Sequence, residues 1–160
     1  MEIKVFEQSV TDLREKWNLP ALGWKWQYNS LKRTLGQCNY REKKLFFSTE
    51  FIPINPPEII FDVIKHEIAH ALVGPTNRHN NVWKRKAIEV GARPETCQNN
   101  AVSPEGRYIL ECECGEVNYM HRRPKYLIYR CTKCRSRVFV KENNVQSKSR
   151  LISSILESVQ

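Results

Sequence analysis

One run of seventeen residues, Pro57 to Val73, constrains the fold of this 160-residue chain more than any other. Prolines at its start with Glu58 in the first turn, and Gly74-Pro75 at its end, are typical of the limits of a helix, and Asn55 is placed to cap it. Apolar side chains recur at steps of three and four residues: Ile60, Ile64, Ile68, Ala71 and Leu72. The pattern predicts a long helix around which the rest of the chain is organised.

The same helix carries the pattern H-E-x-x-H. His66 and His70 are one turn apart on one face, where both imidazoles can reach one metal ion. Glu67 flanks that ion, where a general base can take a proton from a water that zinc activates. The alternative is a buried helix with two structural histidines and a solvated glutamate. Because histidines are costly to bury without partners, the pattern favours a catalytic zinc site.

A third ligand is predicted from the segment that follows. His79 opens a second predicted helix, residues 79–90, for which Gly91 is a plausible C-cap. Three protein ligands plus a water are the arrangement expected of catalytic zinc. Glu89 is the competing third ligand and ranks second because it shares a face with basic residues. The remaining alternative is that His79 is only an exposed helix cap.

The residues before the central helix predict one helix, at about 7–18, and three strands, at 23–28, 34–40 and 44–48. In the first strand, aromatic side chains alternate with polar ones, as in a half-buried antiparallel strand packed on the central helix. The expected fold is therefore α+β, a core of helices with a small antiparallel sheet. Lys44 to Ser48 is the expected edge strand, to which an extended segment of a protein substrate could pair.

Four cysteines near the C-terminus form two close pairs sixteen residues apart: Cys112, Cys114, Cys131 and Cys134. This spacing is typical of a small β zinc ribbon at 107–142, with a structural zinc bound by four thiolates. His121 is an alternative ligand. A polar linker at 96–106 and an amphipathic helical tail at 143–160 are expected on either side. Cys38 and Cys97 are interpreted as interior thiols.

The chain is basic, with a net charge of +9 and a pI of about 9.4. This balance favours a polyanionic partner, above all DNA, although solubility alone is the alternative. Basic residues interleaved with tyrosine could contact phosphates and stack on bases, and the candidates are Arg122, Arg123, Lys125, Tyr126, Arg130, Lys133 and Arg135. Neither a membrane span nor a signal peptide is visible, so an intracellular protein, cytoplasmic or DNA-associated and not secreted, is expected.

Several motifs together resemble the SprT-like metallopeptidases, the group that includes the Spartan proteases. They are Trp24-x-Trp26, LGQCNY, LFFS, HEIAHALVGP, His79-x-x-x-Trp83-Lys84 and the cysteine-paired ribbon with HRRP. The resemblance implies a zincin-like catalytic domain at 1–95, with zinc on the three histidines and Glu67 as base. It also implies a protease of DNA-crosslinked proteins whose ribbon contacts DNA. One departure is Asn80, where the family often has glycine.

Two functions therefore remain open. The first is a zinc endopeptidase acting on DNA-associated proteins, with one catalytic and one structural zinc, in which Arg78 and Tyr40 are candidate donors to the substrate carbonyl. The second is a non-catalytic nucleic-acid-binding zinc-ribbon protein whose histidine site is vestigial or structural.

Overall fold

The computed structural model describes residues 1–95 and 101–143. The chain divides into two compact units, Met1–Pro104 and a second beginning at Glu105. The elements of the first are α1 (Ile3–Lys16), β1 (Lys25–Asn29), β2 (Gly36–Asn39), β3 (Lys44–Ser48), α2 (Pro57–Val73) and α3 (Asn81–Val90). The second contains β4 (Tyr108–Glu111), β5 (Val117–Met120), β6 (Ile128–Arg130) and β7 (Arg137–Glu142). The predicted α+β fold is confirmed. Cys97 and, apart from its first residue, the predicted tail at 143–160 lie outside the described residues.

Helix α1 begins at Ile3, four residues before the predicted start. The early start places Phe6 and Val10, one turn apart, in the core, where both are fully buried. The N-terminal ammonium group donates to the carbonyl oxygens of Ile52 and Asn55, at 3.1 and 3.0 Å. These contacts fix the first residues of the chain against the body of the unit.

The three-stranded sheet has the order β1-β3-β2 and is mixed, since β1 runs parallel to β3 and β2 antiparallel to it. The expected antiparallel pairing therefore holds only for β2 and β3. The prediction that Lys44 to Ser48 is an edge strand was wrong, because β3 is the central strand. Its Leu45 and Phe47 are almost completely buried, and a strand with partners on both sides shields such residues better than an edge does.

Helix α2 has the predicted bounds, and it buries Ile60, Ile64 and Ile68 in the core. The predicted cap was wrong. Pro56 occupies the N-cap position, and no side chain caps the helix. The Asn55 side chain is buried and instead accepts from the Val102 backbone N–H at 2.7 Å while donating to the Val102 carbonyl at 2.9 Å. It therefore holds the segment near residue 102 and is not free to cap.

Helix α3 starts at Asn81, so His79 precedes the helix. The Asn80 side-chain oxygen accepts from the backbone N–H groups of Val82 and Trp83, at 2.9 and 3.1 Å. Asparagine is among the best N-cap residues, so Asn80 is compatible with the turn that leads into this helix. Gly91 ends the helix in the left-handed conformation, φ +80°, as predicted for a C-cap.

The second unit is a four-stranded antiparallel sheet of order β5-β4-β7-β6. Tight turns after β4 and β6 present the cysteine pairs, with Cys112 N–H donating to Glu116 O and Cys131 N–H to Ser136 O. Among its described residues, the buried hydrophobic side chains are only Cys131 and Val138. A core this small is insufficient by itself, and a bound metal supplies the missing stability in such modules. No helix among the described residues is long and apolar enough to span a membrane.

Candidate metal centres

Three imidazoles converge in the first unit. The Nε2 atom of His70 lies 3.2 Å from that of His66 and 3.0 Å from that of His79, and the third distance is 3.2 Å. Zn–N bonds of about 2.0–2.1 Å in tetrahedral geometry place ligand nitrogens roughly 3.3 Å apart. The three nitrogens are therefore arranged as three corners of a zinc tetrahedron, with the fourth corner left for a water or substrate.

The chain brings these rings together by local means. His66 and His70 are one turn apart on α2. The loop that follows turns sharply, with Gly74 at φ +80° and the Asn77 side chain donating to the Val73 carbonyl at 2.5 Å. This turn returns His79 to the face of α2 that carries the other two histidines.

Trp83 forms the floor of the histidine cluster, a role that was missed from the sequence. Its ring centroid lies 4.7 Å from that of His66, 5.1 Å from that of His70 and 4.5 Å from that of His79. The side chain has no solvent exposure. The spacing of four residues within the predicted helix at 79–90 indicates a shared face, but in the structure His79 precedes the helix, so the contact depends on the turn before it.

Burial keeps the three imidazoles neutral. It lowers the pKa of His66 to about 4, assisted by repulsion from His79 and opposed by Asp62. It lowers the pKa of His70 to about 3, with repulsion from both other rings, and it lowers the pKa of His79. Neutral imidazole is the form that binds a metal, so the cluster is prepared for a cation at neutral pH.

Glu67 is buried beside the cluster, with 7 % of its surface exposed, and is not the solvated glutamate of the alternative interpretation. Burial raises the pKa of its carboxyl from 4.5 to about 8. A nearby dication would favour the charged form and lower that pKa again. The side chain lines a pocket of about 360 Å³ that also includes Cys38, Tyr40, His70, Pro75, Arg78 and His79. Both candidate carbonyl donors, Tyr40 and Arg78, thus lie in the same pocket as the base.

The competing third ligand is not part of this cluster. Glu89 lies on α3, where its carboxylate pairs with the ammonium group of Lys86 at 2.6 Å. The described residues that can hold one ion in this unit are His66, His70 and His79, whose ligand atoms all lie within 4.8 Å of one another. The structure therefore favours His79 over Glu89.

The four predicted cysteines of the second unit also form one cluster, with all ligand atoms within 4.8 Å. The Sγ atoms of Cys112 and Cys134 are 3.4 Å apart, and those of Cys114 and Cys131 are 3.6 Å apart. Tetrahedral zinc with bonds of about 2.3 Å requires sulfur atoms roughly 3.8 Å apart, whereas a disulfide requires about 2.05 Å. Hydrogen bonds from Ser136 lower the pKa of Cys134 to about 6, which favours the thiolate that binds metal. His121 is not a member of the cluster.

The seven candidate nucleic-acid contacts are all exposed on the second unit. Arg123 borders a cavity of about 540 Å³, together with Arg107, His121 and Lys141. The ammonium group of Lys125 lies 5.4 Å from the ring centroid of Tyr126. These positions make the residues accessible to a partner, and their contact with DNA stays a prediction.

The first unit is thus an α+β fold with a candidate three-histidine metal site on an H-E-x-x-H helix. The profile of the SprT-like family matches residues 3–103, which contain this whole site, and the chain belongs to that family. The family predicted from the sequence motifs is confirmed. Among curated proteins, none matches the chain significantly.

Proposed function

We propose that this protein is a zinc-dependent endopeptidase that acts on proteins associated with or crosslinked to DNA. The observation that carries the proposal is the convergence of three neutral imidazoles, with Nε2 atoms 3.0–3.2 Å apart, beside a buried carboxylate that lines the same pocket. A closed structural site would use four protein ligands and would need no adjacent acid.

The chemistry requires a proton carrier. Zinc, when bound, lowers the pKa of a water to about 7 and polarises the scissile carbonyl. Glu67 takes the proton of the attacking water, and it then delivers that proton to the departing amine. Burial raises the pKa of the Glu67 carboxyl, which favours the step in which it holds the proton, and a bound dication would lower that pKa again, which favours the carboxylate that takes the proton.

Two other side chains of the pocket can stabilise the charge that develops on the substrate carbonyl oxygen. Burial raises the pKa of Tyr40, so its hydroxyl stays protonated and can donate. Arg78, which directly precedes the ligand His79, contributes a cation to the same pocket. Donors placed at a developing oxyanion act in the transition state more than in the ground state.

Strand β2 is the proposed docking edge for the substrate, in place of β3. It pairs with β3 on one side, at the end of the sheet order β1-β3-β2, and its Cys38 borders the pocket. An extended peptide that added to the free side of β2 would pass the histidine cluster with its backbone hydrogen-bonded.

The proposed DNA association rests on charge. The net charge is +9, and the seven exposed candidates Arg122, Arg123, Lys125, Tyr126, Arg130, Lys133 and Arg135 belong to the second unit. The cavity bordered by Arg107, Arg123 and Lys141 also includes Glu142, so it carries three cations and one carboxylate. Arg107 pairs with Glu142 at 3.9 Å and Lys141 with Glu111 at 3.6 Å, and a phosphate would compete with these exposed pairs. Binding of this kind weakens with salt because phosphate contacts release counterions. Affinity for DNA that does not change between about 50 and about 200 mM salt would contradict this part of the proposal.

The test compares wild type with Glu67→Gln on a protein crosslinked to DNA and on the same protein alone. We expect the wild type to cleave and Glu67→Gln to lose roughly 10²–10⁴-fold in rate while it keeps its zinc and its fold. If the wild type cleaves neither substrate and the two proteins bind DNA equally, the chain is instead the non-catalytic nucleic-acid-binding protein.

A further inference from the structure

Gly36, the first residue of β2, lies directly against the carboxylate of Glu67. A Cβ atom added at Gly36 would be 2.8 Å from Cγ and 2.9 Å from Oε1 of Glu67, and 2.8 Å from Cγ1 of Val63. Real Cβ contacts are essentially never shorter than 3.0 Å, so any side chain at position 36 would force a neighbour to move. From these contacts we propose that Gly36 is a positioning residue. Because it has no side chain, the catalytic carboxylate of Glu67 can occupy the space next to β2 and is held there. This inference rests on the proposed peptidase function and deepens it.

The backbone of β2 cannot retreat to make room for a larger residue. Gly36 pairs with Phe47 of the central strand, and Phe47 is 1 % exposed, with its ring 5.3 Å from that of Phe6. The preceding residue, Leu35, accepts a backbone hydrogen bond from Ser48 at 2.9 Å. On the other side of Gly36, Gln37 pairs with Phe46 of β3. The strand is therefore held on both sides of Gly36, and the displacement is expected in α2.

Of the two side chains that Gly36 contacts on α2, Glu67 is the one that can yield. Val63 is buried, and a β-branched side chain in a helix has essentially one allowed χ1 rotamer. The glutamate is longer and has three rotatable bonds, so its carboxylate would swing away from β2. A misplacement of about 1 Å in a catalytic group can cost about 10²-fold in rate. Position 36 therefore controls where the base stands without itself touching substrate.

The test uses Gly36→Ala with Gly91→Ala as the matched control. Gly91 is in the left-handed conformation, and its nearest neighbour would be the Lys65 side chain at 3.6 Å, so alanine there strains the backbone without touching Glu67. We expect Gly36→Ala to lower kcat about 10- to 100-fold, with KM within about 3-fold and zinc per chain unchanged. Gly91→Ala should lower Tm yet keep kcat. Wild-type kcat in Gly36→Ala would overturn the inference.

A second variant separates positioning from a general packing defect. Adding Val63→Ala to Gly36→Ala removes one of the two clashing side chains, and we expect it to recover at least part of kcat although it lowers Tm further. Loss of zinc or of folded protein in Gly36→Ala that Val63→Ala does not relieve would assign Gly36 a structural role only and overturn the inference.

The crystal structures of wild type and Gly36→Ala test the inference apart from the proposed function. We expect the Glu67 carboxylate to be displaced by about 1 Å or more in the variant, with the three imidazoles in place. An unmoved carboxylate would overturn the inference even if the protein is a peptidase. A wild type that cleaves no substrate would instead overturn the proposed function, whatever the position of the carboxylate.

Discussion

The indole of Trp83 stacks on the imidazole of His70, with ring centroids 5.1 Å apart and planes inclined by 29°. The same indole meets the rings of His66 and His79 edge to face, so one fully buried side chain contacts all three rings of the candidate metal site. The structural core and the site are thus joined at a single residue of α3, and changes at this residue should affect both.

Trp83→Ala should destabilise the first unit by about 3–5 kcal/mol, because it leaves a large cavity beneath the three imidazole rings. Trp83→Phe keeps an apolar aromatic ring and should cost clearly less. Zinc affinity should fall in the same order, since the imidazoles lose the surface that orients them. Denaturant unfolding and zinc titration with a competing chelator measure both effects. Equal zinc affinity in Trp83→Ala and wild type would contradict the role assigned to Trp83.

The stability of the first unit after zinc removal should have a maximum near pH 6.5. As pH rises from 6.5 to 8, folded Glu67 keeps its proton, because its pKa is raised to about 8, whereas the unfolded carboxyl is already ionised. The folded state then binds more protons, and stability falls with rising pH. Below pH 6.5, the histidines of the unfolded chain gain protons. His66 and His70 of the folded chain stay neutral there, because their pKa values are lowered to about 4 and 3. Stability therefore also falls as pH drops below 6.5. The unfolded state gains two protons on the histidines, whereas the folded state has one extra proton on Glu67.

Glu67→Gln isolates the alkaline side of this profile. The variant should show no loss between pH 6.5 and 8, and its loss below 6.5 should be steeper. All four tryptophans lie in residues 1–95, so fluorescence-detected unfolding reports on the first unit alone. A wild-type decline between pH 6.5 and 8 that the variant shares in full would contradict the burial of an un-ionised Glu67.

Replacing Cys131 and Cys134 with serine should remove one zinc per chain and unfold the second unit, because the described part of that unit has almost no other core. The histidine-site zinc should remain. DNA affinity should fall, and the salt dependence of binding should weaken, as expected if basic residues held by the ribbon contact phosphates. Metal analysis and binding at two salt concentrations check these outcomes. Undiminished DNA binding by the serine variant would remove the ribbon from DNA recognition.

Tyr40→Phe removes one hydroxyl from the pocket and should lower kcat by up to about 10²-fold, while zinc content and KM change little. The half-buried phenol of Tyr40 stays protonated because partial burial raises its pKa, so the donor is available throughout the neutral range. Arg78→Ala, measured in parallel, tests the second candidate donor. Unchanged kcat in both variants would show that neither side chain contacts the reacting carbonyl.

The features predicted correctly from the sequence are those set by short-range patterns. The bounds of α2 follow from Pro57, Gly74 and the apolar period between them, and H-E-x-x-H places His66 and His70 without tertiary information. The cluster of four cysteines likewise follows from two close pairs. His79 could not be separated from Glu89 by spacing alone, because the outcome depends on the turn at Gly74 and Asn77.

The features that were missed depend on contacts between distant residues. The strand order places β3 in the centre through pairing with β1, which no local alternation encodes. Asn55 is a residue type that often caps helices, but its side chain instead hydrogen-bonds the backbone of Val102, 47 residues later. The contact of Gly36 with Glu67 joins β2 to α2, and a single glycine in a strand pattern indicates a close approach without naming its partner.

The most direct test of the three-histidine site is the zinc content of wild type and His79→Ala after exhaustive dialysis. We expect two zinc ions per chain in the wild type, one on the histidines and one on the cysteines, and one in His79→Ala. A wild type that holds a single zinc, and keeps it when His79 is replaced, would contradict the account.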